Sequence, residues 1–241
     1  GENVARSSLG LFGRQLEMIQ AAKMMGKPIV VILVNGRPIA EPWLVENIDV
    51  IIEAWEPGAK GGEALADIIM GQINPSGKLP ITIPYSVGHL QAIYDHKPSA
   101  YRHKFVDTPT KNLFEFGFGL SYSTYEYEAP KLSKKQIKSD ESTSISVKLT
   151  NTGKYGGAEI VQLYIRDDFS QITRPVKELK GFKRIYLESG ESATIEFLVE
   201  PDMLAYYNRD MEWTVEQGSY TLMIGPSSRQ SDLKSAKLIV N

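Results

Sequence analysis

An α/β segment followed by an all-β sandwich is the fold class this sequence predicts, and three observations carry it. Within residues 1–84, apolar runs of strand length alternate with short helical patterns. Residues 125–241 instead break into short alternating segments separated by turn signals. Between them, residues 85–124 show neither period and form a connection too long to be ordinary. A chain of 241 residues is long enough for two independent cores.

The elements follow in order. Residues 1–8 are polar and read as a loop leading to Leu9, Leu11 and Phe12. A helix is expected over 13–25, with Leu16, Ile19 and Ala22 on one face and Gly26 and Pro28 ending it. Ile29 to Val34 is an unbroken β-branched and leucine run, as suits a parallel strand covered on both faces. Asn35-Gly36 closes it, and Pro42 to Asn47 reads as a short helix. Val50 to Trp55 gives a second strand stopped by Pro57-Gly58. Leu65, Ile68 and Ile69 then recur at helical spacing up to Gly71, in the position of a left-handed C-cap. Asn74-Pro75-Ser76-Gly77 is a tight turn, and extended chain is expected from Leu79 to Ile83. The strand, helix, strand run over 50–84 predicts a βαβ unit of a partial open sheet, completed by residues before Gly1 or by another chain.

Beyond Tyr125, seven strands are expected: 143–149, 159–165, 177–186, 193–199, 212–215, 220–224 and 233–240. Asn151-Thr152-Gly153, Glu188-Ser189-Gly190 and Gln217-Gly218 punctuate them, at the spacing of a β-sandwich.

Composition narrows the function. The net charge of -2 comes from nearly equal acids and bases with no basic block, which argues against nucleic acid or an anionic membrane as partner and for a neutral small molecule. With no cysteine there is no disulfide, thiolate chemistry or cysteine-based zinc site. No apolar run reaches membrane-spanning length, and no signal peptide is visible. Gly71 to Lys78 has one residue too many for a phosphate loop and Leu79 where Ser or Thr is needed, so nucleotide binding is rejected. His89, His96 and His103 stand seven residues apart, wider than metal ligands usually do, and no cofactor is expected.

Specific motifs carry a resemblance. Trp55-Glu56-Pro57-Gly58 with Gly61-Gly62, and Asn74-Pro75-Ser76-Gly77-Lys78-Leu79-Pro80, resemble a signature of family 3 glycoside hydrolases of the β-glucosidase group. Gly36-Arg37-Pro38, Phe116-Gly117-Phe118-Gly119-Leu120-Ser121-Tyr122 and Arg174-Pro175-Val176-Lys177-Glu178-Leu179-Lys180-Gly181-Phe182 extend the likeness across nearly the whole chain. The resemblance implies part of an α/β sandwich domain followed by a fibronectin type III-like domain. It also implies an N-terminal barrel, absent from this chain, that bears the nucleophilic aspartate. Secretion or the periplasm is the compartment it suggests.

The resemblance further implies an acid/base glutamate about four residues before an arginine. Here Glu2 stands four before Arg6, and Leu9-Gly10-Leu11-Phe12-Gly13-Arg14-Gln15 follows, with Phe12 where the family usually has proline. Retaining glycoside cleavage needs one carboxylate as nucleophile and a second carboxyl that donates a proton and later withdraws one, the two about 5 Å apart. A carboxyl desolvated by the sugar and a neighbouring domain can serve both roles at neutral pH. The competing reading of Glu2 is a solvated side chain near a chain end.

Trp55 can stack on a sugar or seal the sheet, and packing is favoured. Glu53 and Glu56 beside it are read as solvated charge. Tyr101, Arg102 and the three histidines lie in the long loop and receive no role, and Arg174-Pro175-Val176 is read as a domain buttress.

Two function classes stand. One is an exo-acting retaining β-glucosidase, with a β-xylosidase as alternative, acting on a β-glucoside or oligosaccharide; this chain alone is then expected to be inactive. The other is a non-catalytic carbohydrate- or protein-binding module. The Glu2 to Arg6 spacing favours the enzyme.

Overall fold

A computed structural model describes residues 6–98 and 104–241. They fall into two compact units. The first draws on the described residues of Gly1–Ile73, Ile81–Ala92 and Lys104–Phe114; the second on those of Asn74–Pro80, Ile93–His103 and Glu115–Asn241.

The first unit is α/β. Helix α1 (Gln15–Lys23) leads to β1 (Val30–Val34), α2 (Pro42–Asn47), β2 (Val50–Trp55) and α3 (Gly61–Ile69). Gln15 accepts the Phe12 N–H and starts α1, and Gly26 at φ 66° follows its end. Proline at the first position of α2 forfeits an N–H that no helix start uses. At the head of α3, Gly61 lies against the Pro57 ring, where a Cβ would collide. Gly71 at φ 72° turns the chain out of that helix.

Strands β1 and β2 pair in parallel, Val30 with Val50 through Leu33 with Glu53, and a shift then sets Val34 against Trp55. The βαβ unit is therefore β1, α2, β2. The core is small: Val31, Leu44 and Ile48 are buried, with Leu11, Ile19, Ile29, Leu33, Trp43 and Ile51 packed around them. Leu79 to Ile83 does not continue the sheet as expected, and only Ile83 forms a bridge, with Phe114. Pro80 and Pro84 explain this, since each lacks the N–H a ladder needs.

The second unit is a sandwich. Its strands are β3 (Tyr125–Tyr127), β4 (Lys131–Leu132), β5 (Gln136–Ile137), β6 (Thr143–Asn151), β7 (Gly157–Asp167), β8 (Glu178–Leu187) and β9 (Ser192–Val199). A short helix α4 (Pro201–Leu204) precedes β10 (Tyr206–Tyr207), β11 (Trp213–Thr214), β12 (Gly218–Gly225) and β13 (Lys234–Val240). One sheet runs β5-β13-β12-β7-β8; the other runs β3-β6-β4, with β9 also paired to β6. Ile145, Val147 and Leu149 from β6 meet Val161, Leu163 and Ile165 from β7 and Leu222 and Ile224 from β12 in the core. Strand β10 pairs with β11 in a small antiparallel ribbon.

Strand β7 is covered on both faces. Outside the core, Tyr94 stacks on Phe116 at 4.2 Å and meets Tyr164 edge-on at 5.9 Å. Gln162 donates to the carbonyls of Gly117 (3.1 Å) and Pro226 (2.6 Å). Part of the stretch read as connecting loop is thus packed structure. No described helix is long and apolar enough to cross a membrane.

Candidate active site

The α/β unit concentrates polar order at the carboxyl ends of its two parallel strands, where open α/β sheets generally place ligands. Asn35 follows β1, and its N–H donates to the Trp55 carbonyl at 3.0 Å. Its side-chain oxygen accepts the Arg37 N–H at 3.0 Å, a local turn that the Asn-Gly-Arg-Pro sequence favours. Its amide nitrogen donates to Glu53 Oε1 at 2.9 Å, and the Trp55 N–H reaches the same oxygen at 3.2 Å. Trp55 adopts φ 50°, uncommon for a bulky residue.

Glu53 is half-buried rather than solvated as expected. Desolvation raises its pKa, and its bonds from Trp55 and Asn35 pull the other way. Glu56 does remain exposed.

Onto this edge docks the segment that follows Arg6. Arg37 Nη1 donates to the Arg6 carbonyl at 3.3 Å, and the Ala40 N–H donates to the Leu9 carbonyl at 2.9 Å. Glu41 is half-buried, its pKa raised by desolvation and lowered in turn by backbone hydrogen bonds from Trp43 and Leu11. The Arg6 guanidinium lies 4.8 Å from the centre of the Phe12 ring. Residues 6–12 are therefore held by the loop that joins β1 to α2.

Glu2 lies outside the described residues, as do Tyr101, Arg102 and His103. Of the other loop histidines, His89 has both ring nitrogens engaged, with Ser86 Oγ and the Pro109 carbonyl at 2.9 Å each. His96 Nδ1 lies 3.0 Å from the Lys97 carbonyl. No group of three potential metal ligands occurs among the described residues. Sequence reasoning missed the roles of Asn35, Arg37 and Glu41; the Asn-Gly-Arg-Pro turn directly after an apolar strand was the available signal.

In the sandwich unit the shared motifs turn out to be structural fastenings. Asn74 accepts from Ser121 and from the Tyr122 N–H, both at 2.8 Å, and donates to the Gly156 carbonyl at 3.0 Å. Lys78 pairs with Glu159 at 3.1 Å and donates to the Gly119 carbonyl at 3.1 Å. Tyr127 donates to Glu159 at 3.1 Å. Burial pushes the Glu159 pKa up despite its lysine partner, and pushes the Tyr127 phenol up as well. Lys78, Tyr127 and Glu159 line an open cleft of about 610 Å³, in which the buried lysine and glutamate are already paired with each other. Arg174, expected to buttress a neighbouring domain, is committed inside the sandwich unit, bonded to Asp167 (3.4 Å), Glu178 (2.7 Å) and the Leu204 carbonyl (3.1 Å).

The family model described as glycosyl hydrolase family 3 C-terminal domain matches residues 1–122, and that of a fibronectin type III-like domain matches 159–228. A β-xylosidase of Formosa agariphila is 43% identical over 100% of this chain and 34% of its own length. A periplasmic β-glucosidase of Salmonella typhimurium is 37% identical over 99% of the chain and 32% of its own. Among solved structures, a β-glucosidase from Erythrobacter marinus superposes with a TM-score of 0.95 at 37% identity, covering 100% of this chain and 32% of that one. A Listeria innocua β-glucosidase in complex with glucose gives 0.94 at 31% identity, covering 100% and 35%. The chain thus spans about a third of the length of the relatives it matches.

Proposed function

The chain belongs to glycoside hydrolase family 3, and from that premise we propose that it is the C-terminal part of a retaining, exo-acting β-glucosidase. Glu2 is the acid/base carboxyl in this reading, and the nucleophilic carboxylate stands in a barrel domain upstream. The observation that carries it is the docking of residues 6–12 on the carboxyl edge of β1, which ties the segment just beyond Glu2 to a rigid element. Two further facts support it. Relatives about three times as long leave room for the barrel. Val30, Ile32 and Val34 of β1 are 42%, 39% and 64% exposed, as expected if more of the sheet covers a strand so apolar.

In the first step, the upstream carboxylate attacks the anomeric carbon while Glu2 protonates the departing oxygen; in the second, Glu2 takes a proton from the water that releases the sugar. The protein part of this chain is to hold the second carboxyl near the first. A β-xylosidase is the second reading, favoured by the 43% identity to the Formosa enzyme. Secretion or the periplasm is the proposed compartment, supported by the Salmonella relative.

The test uses the complete polypeptide and follows the products of β-glucoside and β-xyloside cleavage by NMR. The β-anomer forming first supports the reading, and the faster sugar decides between glucosidase and xylosidase. An α-anomer forming first, or no cleavage of either, would refute it.

A further inference from the structure

We infer that Arg37 is a positioning residue for the acid/base loop, an inference that rests on the reading of Glu2 above. Among the described residues, the Arg37 contact to the Arg6 carbonyl is the one from outside residues 6–12 that falls nearest in sequence to Glu2. The next anchor from outside residues 6–12 is the Leu9 carbonyl, held by the Ala40 N–H; the Arg6 guanidinium contacts its own segment, at the Leu11 carbonyl and the Phe12 ring. An extended chain covers at most about 3.5 Å per residue. From the Arg6 carbonyl the chain to Glu2 can reach at most about 14 Å, and from Leu9 at most about 24 Å.

Arg37 is itself well placed to act as a fixed point. Asn35 Oδ1 holds its backbone N–H, Glu53 holds the Asn35 amide, and the Trp55 N–H reaches the same Glu53 oxygen. A continuous hydrogen-bonded path therefore runs from the end of β2 to the carbonyl of Arg6. Glu41, four residues past Arg37, secures Leu11 at the far end of the segment, so its loss would leave the Glu2 end in place.

Releasing the Arg6 carbonyl loosens the backbone that leads to a proton donor without removing the donor. Misplacement by about 1 Å can cost a catalytic group roughly 100-fold. The loss should appear only where the leaving group needs a proton.

The experiment compares wild type, Arg37→Ala, Arg37→Lys and Glu2→Gln in the complete polypeptide. kcat/KM is measured on the methyl and the 2,4-dinitrophenyl glycoside of whichever sugar the wild type prefers. Arg37→Ala is expected to lose about 10- to 100-fold on the methyl glycoside and less than about 3-fold on the dinitrophenyl glycoside. Arg37→Lys, which keeps the charge and one donor, should show the same pattern to a smaller degree, and it carries the test if Arg37→Ala does not accumulate folded. Equal loss on both substrates, or no loss on either, while Glu2→Gln shows the selective loss, would overturn the inference alone. Absence of selective loss in Glu2→Gln would overturn the reading beneath it, and the inference with it.

Discussion

Asn35 and Glu53 join the ends of two parallel strands through a 2.9 Å hydrogen bond from the asparagine amide to the carboxylate. The same oxygen accepts the Trp55 N–H, so one half-buried acceptor fixes both the turn after β1 and the left-handed backbone that ends β2. The loop that holds residues 6–12 grows directly from this junction.

Glu53→Gln should preserve the acceptor and remove the charge. Burial raises the Glu53 pKa, so the folded state holds the proton more tightly than the unfolded one. Its favourable contribution is complete below the unfolded pKa and is lost as pH rises through the folded value. The Tm of Glu53→Gln minus that of wild type should therefore be larger at pH 7 than at pH 4. Glu53→Ala, which strands two donors, should cost about 1–3 kcal/mol. Thermal unfolding at the two pH values checks both, and a difference that shrinks with rising pH would contradict the assignment.

Lys78→Met should strand the Glu159 carboxylate, whose side chain is 4% exposed, and destabilise the sandwich unit by about 3–5 kcal/mol. Adding Glu159→Gln should recover most of this, since the amide oxygen can still accept from Tyr127. The Lys78→Met deficit should also shrink as pH falls and Glu159 takes a proton. Urea unfolding across the mutant cycle reads the coupling, and simple additivity of the two losses would contradict it.

Gly119 and Gly77 lie in two of the shared motifs and should respond differently to alanine. A Cβ on Gly119 would fall on the Gly77 carbonyl oxygen, whereas a Cβ on Gly77 meets nothing. Gly119→Ala should cost about 1–3 kcal/mol, and Gly77→Ala should stay within about 0.5 kcal/mol. Matching losses in denaturant titrations would show that the backbone approach is not the constraint.

The 241-residue chain alone should not turn over aryl β-glucosides, because retaining cleavage requires a second carboxylate that the proposed arrangement places upstream. Turnover proportional to pure protein would contradict this.

The sandwich was readable because its long strands alternate. Thr143, Ile145, Val147 and Leu149 are buried, and Lys148 between them is exposed. Strands β4, β5, β10 and β11 have two residues each, too few to show a period. The layer of Tyr94 and Phe116 over β7 read as loop because its order comes from contacts distant in sequence. Extended chain over 79–83 was expected from its apolar residues, but Pro80 and Pro84 outweighed them. At the site, the turn chemistry of Asn35 was present in the sequence, yet its bond to Glu53 depends on the register of β1 on β2, which the sequence does not display. The role of Arg37 depends on the Arg6 carbonyl, a partner 31 residues away in sequence that its motif does not display.

The most direct test of the account is chemical rescue of Glu2→Ala in the complete polypeptide, using an activated aryl glycoside with and without azide. With the acid/base carboxyl removed, the glycosyl intermediate should wait for a nucleophile that needs no base. Azide should then raise kcat and yield the β-glycosyl azide. A Glu2→Ala enzyme that keeps wild-type turnover, or that azide leaves unchanged, would contradict the assignment of this segment as the acid/base loop.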